Sequence, residues 1–403
     1  MHNDRKLKIV YLNSGNFGST GSIMLNIAKK AEEQGYTAYI AYANSRSNKM
    51  KKLENEILIG SIIERNLSLQ LSYYTGFNGC FLYLGTKDFL RKLDIIKPDI
   101  IHLHNLHNCY INLRMLFNYI KKNNISVIWT LHDCWAFTGH CPHFSEINCM
   151  KWKDGCFDCP QFREYPASKI DRTREMYHLK KEWFTGVENM VITTPSIWLQ
   201  ERVKESFLKE YPIRVINNGI DLNVFKPTKS NFREKFNLRD KKIVLGVANP
   251  WSKKKGLNIF VELAAQLNEN YQIVLVGLSE KQIREIPSNI LGLIKTDNVR
   301  ELAEIYSTAD FFMNPSVEET MGMVTVEALA CGTPAIVSNM TAVPESITPD
   351  CGIIVEKYNT EEFYNVLTNN KSEFKKENTL NQAKKYEMNS KYREYILIYE
   401  TIV

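Results

Sequence analysis

Three groups of side chains in this 403-residue sequence have the types and spacing to do chemistry. The first is a pair of carboxylates separated by seven residues, Glu319 and Glu327. They lie in the stretch Asn314-Pro315-Ser316-Val317-Glu318-Glu319-Thr320-Met321-Gly322-Met323-Val324-Thr325-Val326-Glu327-Ala328-Leu329-Ala330-Cys331-Gly332-Thr333-Pro334. The stretch reads as a loop after a strand, then a helix ending at Gly332, which can take the left-handed closing conformation, with Pro334 blocking continuation. Glu319 falls in the loop and Glu327 about two helical turns further on. Free amides at a helix start beside Gly322 suit phosphate oxygens. A carboxylate such as Glu327 can accept two hydroxyl hydrogen bonds from a ribose diol. Either glutamate alone would be at home on a solvated helix; the whole string would not.

The second group is histidine. His102-Leu103-His104-Asn105-Leu106-His107 and Trp129-Thr130-Leu131-His132-Asp133-Cys134-Trp135 both begin at strand ends. His132 is the candidate here, with Asp133 able to orient its ring or an acceptor hydroxyl, while His104 and His107 read mainly as structural. The third group is cysteine: Cys141, Cys149, Cys156 and Cys159 fall within nineteen positions and make up four of the nine in the chain. Two cysteines followed by Cys-x-x-Cys fit a tetrahedral structural zinc site, which would order a segment rich in Trp, Phe and Gly and lacking periodicity. The other reading is free thiols packed in an irregular loop.

These groups need a scaffold, and the hydropathy pattern supplies one. Lys8–Leu12 reads as a buried strand, followed by the glycine-rich turn Ser14–Gly21, an amphipathic helix over Ser22–Gln34 closed by Gly35, and a strand at Thr37–Tyr42. Further strands are expected at Ile100–Leu103, Val127–Thr130, Met190–Thr193 and Arg214–Ile216. Beyond the linker-like Pro227–Ser230 come Ile243–Val247, Ile273–Gly277, Phe311–Met313 and Ala335–Ser338. Strands alternating with helices over two such stretches imply two parallel-sheet α/β domains, with ligands at the carboxyl ends of the strands. The first turn is not Gly-x-Gly-x-x-Gly, and no acidic ribose ligand follows the second strand, which argues against a dehydrogenase.

The Glu319–Glu327 string, followed by Ala-Cys-Gly-Thr-Pro, resembles the donor-binding signature of the retaining, family-4 glycosyltransferases. The resemblance implies the GT-B fold, two Rossmann-like parallel-sheet domains facing each other across a cleft. It implies an acceptor domain over 1–225 with a cysteine-rich insert at about 134–165. A nucleotide-sugar donor domain would follow over 226–385, and a C-terminal helix over 386–403 would pack back on the first domain. By the same resemblance Glu319 grips the transferred sugar and Glu327 the ribose, while Thr320, Met321, Gly322 and Met323 line sugar and diphosphate. Ser252-Lys253-Lys254-Lys255-Gly256-Leu257 matches the family's phosphate-binding lysine and glycine. Lys255 would stabilise the leaving diphosphate, and Lys253 or Lys254 would share a role that many relatives give to an arginine. No arginine occurs here between Arg239 and Arg284. Gly18-Ser19-Thr20-Gly21 resembles the glycine loop that closes on donor (Gly18) and acceptor (Gly21), and His132 would contact the reacting sugar. The expected activity is retaining transfer from a nucleotide-diphosphate sugar to a hydroxyl of a lipid-linked saccharide in cell-surface polysaccharide assembly. No cofactor is expected in catalysis, since there is no Asp-x-Asp and the family manages leaving-group charge with lysine and helix dipoles. A same-architecture epimerase, or a scaffold retaining only the fold, are the rival readings.

Composition narrows the classes further. With 44% hydrophobic and 24% charged residues the chain is globular, not disordered. No apolar run approaches the ~18 residues of a membrane helix. Met1–Lys8 carries no signal-peptide core, so a cytoplasmic location is expected. The net charge of +6, from 51 basic and 45 acidic residues, is too mild and scattered for a nucleic-acid partner. It suits anionic small substrates and peripheral contact with the inner face of an anionic membrane.

Overall fold

The structure is a computed structural model describing residues 6–45, 55–370 and 372–403. It divides into two units. The first comprises residues up to Asn217 together with Tyr392–Val403; the second comprises Asn218–Lys391. The border that the resemblance implies lies at 225/226. Asn218–Ser230 is tied to the second unit by Ile220, which bridges to Glu387, and by Thr228, whose amide donates to Ser307 Oγ at 3.0 Å.

Among the described residues of the first unit, seven parallel strands form one sheet: β1 Lys8–Asn13, β2 Thr37–Ala43, β3 Glu56–Ile59, β4 Ile100–Leu103, β5 Ser126–Thr130, β6 Met190–Thr194 and β7 Ile213–Val215. The order is β3-β2-β1-β4-β5-β6-β7, so the winding reverses between β1 and β4. The central strands are buried on both faces, hence their unbroken β-branched runs. Helix α1 spans Gly18–Glu33 and so begins four residues earlier than its amphipathic pattern suggested. The expected loop Gly18–Gly21 is therefore the first helical turn. Gly21 lets that turn lie on the preceding backbone: a Cβ there would stand 2.8 Å from the Asn16 carbonyl carbon. Helices α2 (Ile62–Thr75) and α3 (Tyr83–Ile96) follow β3. The final helix, Met388–Ile402, seals this sheet with Tyr395 and Tyr399, both buried.

Six parallel strands make the sheet of the second unit: β8 Lys242–Val247, β9 Tyr271–Val276, β10 Ile290–Leu293, β11 Phe311–Asn314, β12 Ala335–Ser338 and β13 Gly352–Val355. The order β10-β9-β8-β11-β12-β13 reverses between β8 and β11. The sequence pattern missed β3, β10 and β13. Each has only four residues and lies at a sheet edge; Gly292 interrupts the apolar run of β10, and Gly352 opens β13. Pairing with a longer neighbour, a non-local effect, makes them strands.

Candidate functional site

In open parallel sheets a ligand sits beyond the carboxyl ends of the strands where the winding reverses. In the second unit those ends are β8 and β11, and they lead into the two segments singled out by residue type. After β8 the chain makes a short 3-10 turn over Lys253–Lys255; after β11 it enters the loop that carries Glu319. The Val317 amide donates to the Lys254 carbonyl at 2.9 Å. Gly256 allows this contact, because a Cβ there would lie 2.4 Å from the Pro315 ring.

Two ion pairs then cross from turn to loop in register. Lys254 Nζ stands 3.1 Å from Glu318 Oε2, and Lys255 Nζ donates to Glu319 Oε1 at 2.6 Å. Glu318 is almost wholly buried, whereas Lys255 and Glu319 keep 31% and 17% of their side chains exposed, so an incoming ligand can reach them. The Glu319 amide donates to Thr341 Oγ1, and Asn314 Nδ2 donates to Thr325 Oγ1. These bonds fix the loop at both ends. Gly322, with φ +74°, caps the helix Met323–Ala330, and Met321 Sδ accepts the Asn218 amide.

Glu327 lies in that helix. Its Oε2 accepts the Tyr306 hydroxyl at 2.9 Å. Burial pushes its carboxyl up to about 7, opposed by the Tyr306 hydrogen bond, which favours the charged form. The helix Val299–Thr308 supplies this hydroxyl. Nothing in sequence links Tyr306 to Glu327, since the contact is made by two helices packing side by side.

The first unit assembles a different set. His132 follows β5, and its Nε2 is 3.0 Å from His104 Nδ1, the two rings stacked. His104 stacks in turn on His102, whose nitrogens meet the Tyr399 hydroxyl at 2.7 Å and Thr130 Oγ1 at 2.8 Å. His104 Nε2 is buried without a hydrogen-bond partner. A buried bare N–H is the costlier alternative, so the His104 proton belongs on Nδ1, donated to His132 Nε2, and His132 carries its own proton on Nδ1. Burial lowers His132 to about 4 and His102 to about 3, leaving both neutral at neutral pH. Asp133 accepts from His107 Nε2 at 3.1 Å and from the Trp135 amide at 2.8 Å. Burial alone would raise its carboxyl; His107 and the amide outweigh this and hold it at about 2. Tyr165 gives its hydroxyl proton to Asn108 Oδ1, and the same hydroxyl lies 2.8 Å from His107 Nδ1. His104 and His107, which read as mainly structural, find their partners more than twenty residues away.

Cys141, Cys149, Cys156 and Cys159 line one small pocket with Phe144 and Trp152. The Cys141 and Cys159 thiols hydrogen-bond to each other, and Cys156 Sγ accepts the Gly139 amide at 3.1 Å. Among the described residues, however, no three His, Cys, Asp or Glu side chains are placed to hold a metal ion. Thiol contacts and apolar packing order the segment in this structure. Lys180, fully buried, anchors its start by donating to the Trp135 and Thr138 carbonyls while its Nζ sits 3.4 Å from the centre of the Trp135 ring. Burial brings this lysine down to about 7.

Comparison with known proteins agrees with the two-sheet plan. The profile described as Glycosyltransferase Family 4 matches residues 20–224, and that described as Glycosyl transferases group 1 matches residues 241–369. The chain is 26% identical over 216 residues to the putative colanic acid biosynthesis glycosyl transferase WcaC of Escherichia coli, covering 51% of this chain and 52% of that protein. It is 27% identical over 191 residues to the O-antigen biosynthesis glycosyltransferase WclY of Escherichia coli, covering 45% and 51%. The chain thus spans about half the length of these curated relatives. Among solved structures, sucrose-phosphate synthase from Thermosynechococcus elongatus superposes with a TM-score of 0.73 at 17% identity, covering 98% of this chain and 99% of that one.

Proposed function

Since the chain belongs to Glycosyltransferase Family 4 and has two all-parallel Rossmann-like sheets of the GT-B class, we propose that it is a retaining glycosyltransferase. It takes a sugar from a nucleotide-diphosphate donor and delivers it to a hydroxyl of a lipid-linked saccharide. The observation that carries this reading is the pair of lysine–carboxylate bridges beside Glu327, at the strand ends where the second sheet reverses.

The geometry suggests an exchange of partners. Without donor, Lys255 is neutralised by Glu319. A diphosphate, carrying more charge than a carboxylate, competes for the Lys255 ammonium and for the amides after Gly322. Glu319 is then released to accept hydroxyls of the sugar, while Lys254 stays paired with buried Glu318 and holds the turn against the loop. Glu327 accepts the ribose diol while Tyr306 keeps the carboxylate in place. As the glycosidic bond breaks, negative charge grows on the diphosphate, and Lys255 and the helix amides stabilise it most at that moment. His132, neutral and fixed in tautomer by His104, is assigned to a hydroxyl of the transferred sugar. Thr320, Met321 and Met323 line the donor, and in the first unit Gly18, where a Cβ would meet nothing within 4 Å, leaves the start of α1 open to approach. Attack from the face the diphosphate leaves gives retention. The names of WcaC and WclY, a colanic acid and an O-antigen biosynthesis glycosyltransferase, support a place in polysaccharide assembly.

The test is transfer from UDP-, GDP- and ADP-sugars to lipid-linked saccharides, with the product anomer read by NMR. Retained configuration is expected. An inverted product, a trapped glycosyl-enzyme adduct, or donor turnover that needs no acceptor would each overturn the proposal.

A further inference from the structure

The cysteine-rich segment does not pair its thiols as their spacing suggests. Cys156 and Cys159 form a Cys-x-x-Cys step, the spacing of many paired thiols. Here the step is split. Cys156 Sγ accepts the Gly139 amide at 3.1 Å, and Gly139 allows this approach because a Cβ there would stand 2.7 Å from Cys156 Cβ. Cys159 turns elsewhere and shares a hydrogen bond with Cys141, which comes from the start of the segment.

Polar contacts outside the pair hold each partner in place. Thr138 Oγ1 donates to the Cys141 carbonyl at 2.6 Å, and buried Lys180 donates to the Thr138 carbonyl at 3.0 Å. The Cys159 amide donates to Asp171 Oδ2 at 2.7 Å. In the turn before it Asp158 is left-handed, with φ +43°, and Lys151 Nζ pins that turn by donating to the Phe157 and Asp158 carbonyls at 3.1 and 3.0 Å. The two sulfurs therefore meet on anchored backbone. They differ in access: Cys141 is buried, whereas Cys159 is half-buried and open to a small solute. Cys80, also half-buried, gives its thiol to the Asn78 carbonyl instead.

We propose that Cys141 and Cys159 are a redox-active dithiol, in which Cys159 meets a hydroperoxide and Cys141 resolves the product. The Cys159 sulfur attacks one oxygen of hydrogen peroxide, the O–O bond breaks, and Cys159 sulfenic acid and water form. The Cys141 sulfur then displaces the sulfenic hydroxyl, which leaves as water with the Cys141 proton as the S–S bond forms. The two thiols together lose two electrons and two protons, and the peroxide becomes two molecules of water. The new bond needs the sulfurs at about 2.05 Å, which a pair already in contact reaches by side-chain rotation. A dithiol reductant reopens it by exchange. Closure ties the strand-end side of the segment to the side that carries Tyr165, whose hydroxyl meets His107, the partner of Asp133. Its bearing on acceptor binding rests on the proposed function; the thiol chemistry does not.

The test is mass-spectrometric peptide mapping of the full chain without reduction, after equimolar hydrogen peroxide and blocking of free thiols. A Cys141–Cys159 cross-link should exceed any Cys156–Cys159 link by at least about tenfold and vanish with a dithiol reductant. The cross-linked chain should melt several degrees above the reduced one, because the link constrains the unfolded state. Cys156→Ser should still cross-link. Cys141→Ser should instead leave Cys159 sulfenic acid, captured by dimedone. Should that variant misfold by far-UV circular dichroism, the wild-type map decides alone. A Cys156–Cys159 link as the main product, or no link with every thiol still free, overturns the inference. So does a purified wild type that carries one zinc ion per chain and loses it in Cys141→Ser, which would mean that the thiols hold a metal. A nucleotide-induced thermal shift that persists when no cross-link forms leaves the transferase reading intact.

Discussion

The strand ends of the two units are furnished differently. In the first, a chain of stacked neutral rings, His102, His104 and His132, is anchored at its inner end by Tyr399 and Thr130, and the neighbouring Asp133 is already held by His107 and the Trp135 amide. In the second, the polar groups are formal charges that neutralise one another, Lys254 with Glu318 and Lys255 with Glu319, beside a carboxyl whose burial favours its neutral form. The first arrangement already has its partners. The second must trade them when an anion arrives. Hydrogen bonds between buried neutral groups serve mainly to hold the fold and a tautomer, whereas half-exposed ion pairs contribute little stability and are available for ligand and transition state.

The contrast can be broken most visibly at Lys255. Lys255→Ala should lower turnover by about 10²–10³-fold while costing at most about 1 kcal/mol of stability, because its pair with Glu319 is partly solvated. A large loss of stability with turnover preserved would erase the distinction. His104→Ala should do the reverse. Loss of the ring leaves His132 Nε2 without its partner in a buried site, so urea unfolding should report a loss of about 1–3 kcal/mol, with a smaller effect on turnover than Lys255→Ala.

A finer probe is Tyr306→Phe. Removing one hydrogen bond to Glu327 should weaken donor binding by about fivefold, equivalent to ~1 kcal/mol. Because that bond favours the charged carboxylate, the variant's binding should also require a higher pH. Calorimetric titration across pH reads both effects.

The smallest and most general effect is the opposite pH response of the two regions. His132 and His102 are lowered from 6.5 to about 4 and about 3, so their unfolded forms bind protons first. Their contribution is present above pH 6.5 and is lost as pH falls through the folded values. Glu327 is raised from 4.5 to about 7, so its contribution is present below 4.5 and is lost as pH rises through 7. Donor binding should move against that loss, strengthening as pH rises through about 7, since ribose hydroxyls donate to the ionised form. Donor affinity that is flat between pH 6 and 8 would show that Glu327 does not meet the ribose.

Much of this was legible in the sequence where the signal was local. The long central strands carry β-branched runs that only a two-sided burial explains, and the Glu319–Glu327 string holds its meaning within one loop and helix. The edge strands β3, β10 and β13 were not legible, because their runs are broken by exposed or glycine positions and pairing with one neighbour makes them strands. The start of α1 was hidden because glycine reads as a turn, although Gly21 is what lets the helix lie on its own loop. Tyr306 and His104 were underestimated for the same reason. Each acts on a residue more than twenty positions away, through helix packing in one case and adjacent strands in the other. The cysteine spacing suggested a metal, but the side chains settle into thiol contacts and an apolar pocket.

The central claim is that the second unit holds a nucleotide through Glu327. Its most direct measurement is thermal unfolding of the wild type and Glu327→Ala against UDP-, GDP- and ADP-sugars. At ligand near 100 times its dissociation constant, one nucleotide class should stabilise the wild type by about 2.7 kcal/mol and leave Glu327→Ala nearly unshifted. A wild type that no nucleotide stabilises, or a shift of equal size in Glu327→Ala, would contradict the account.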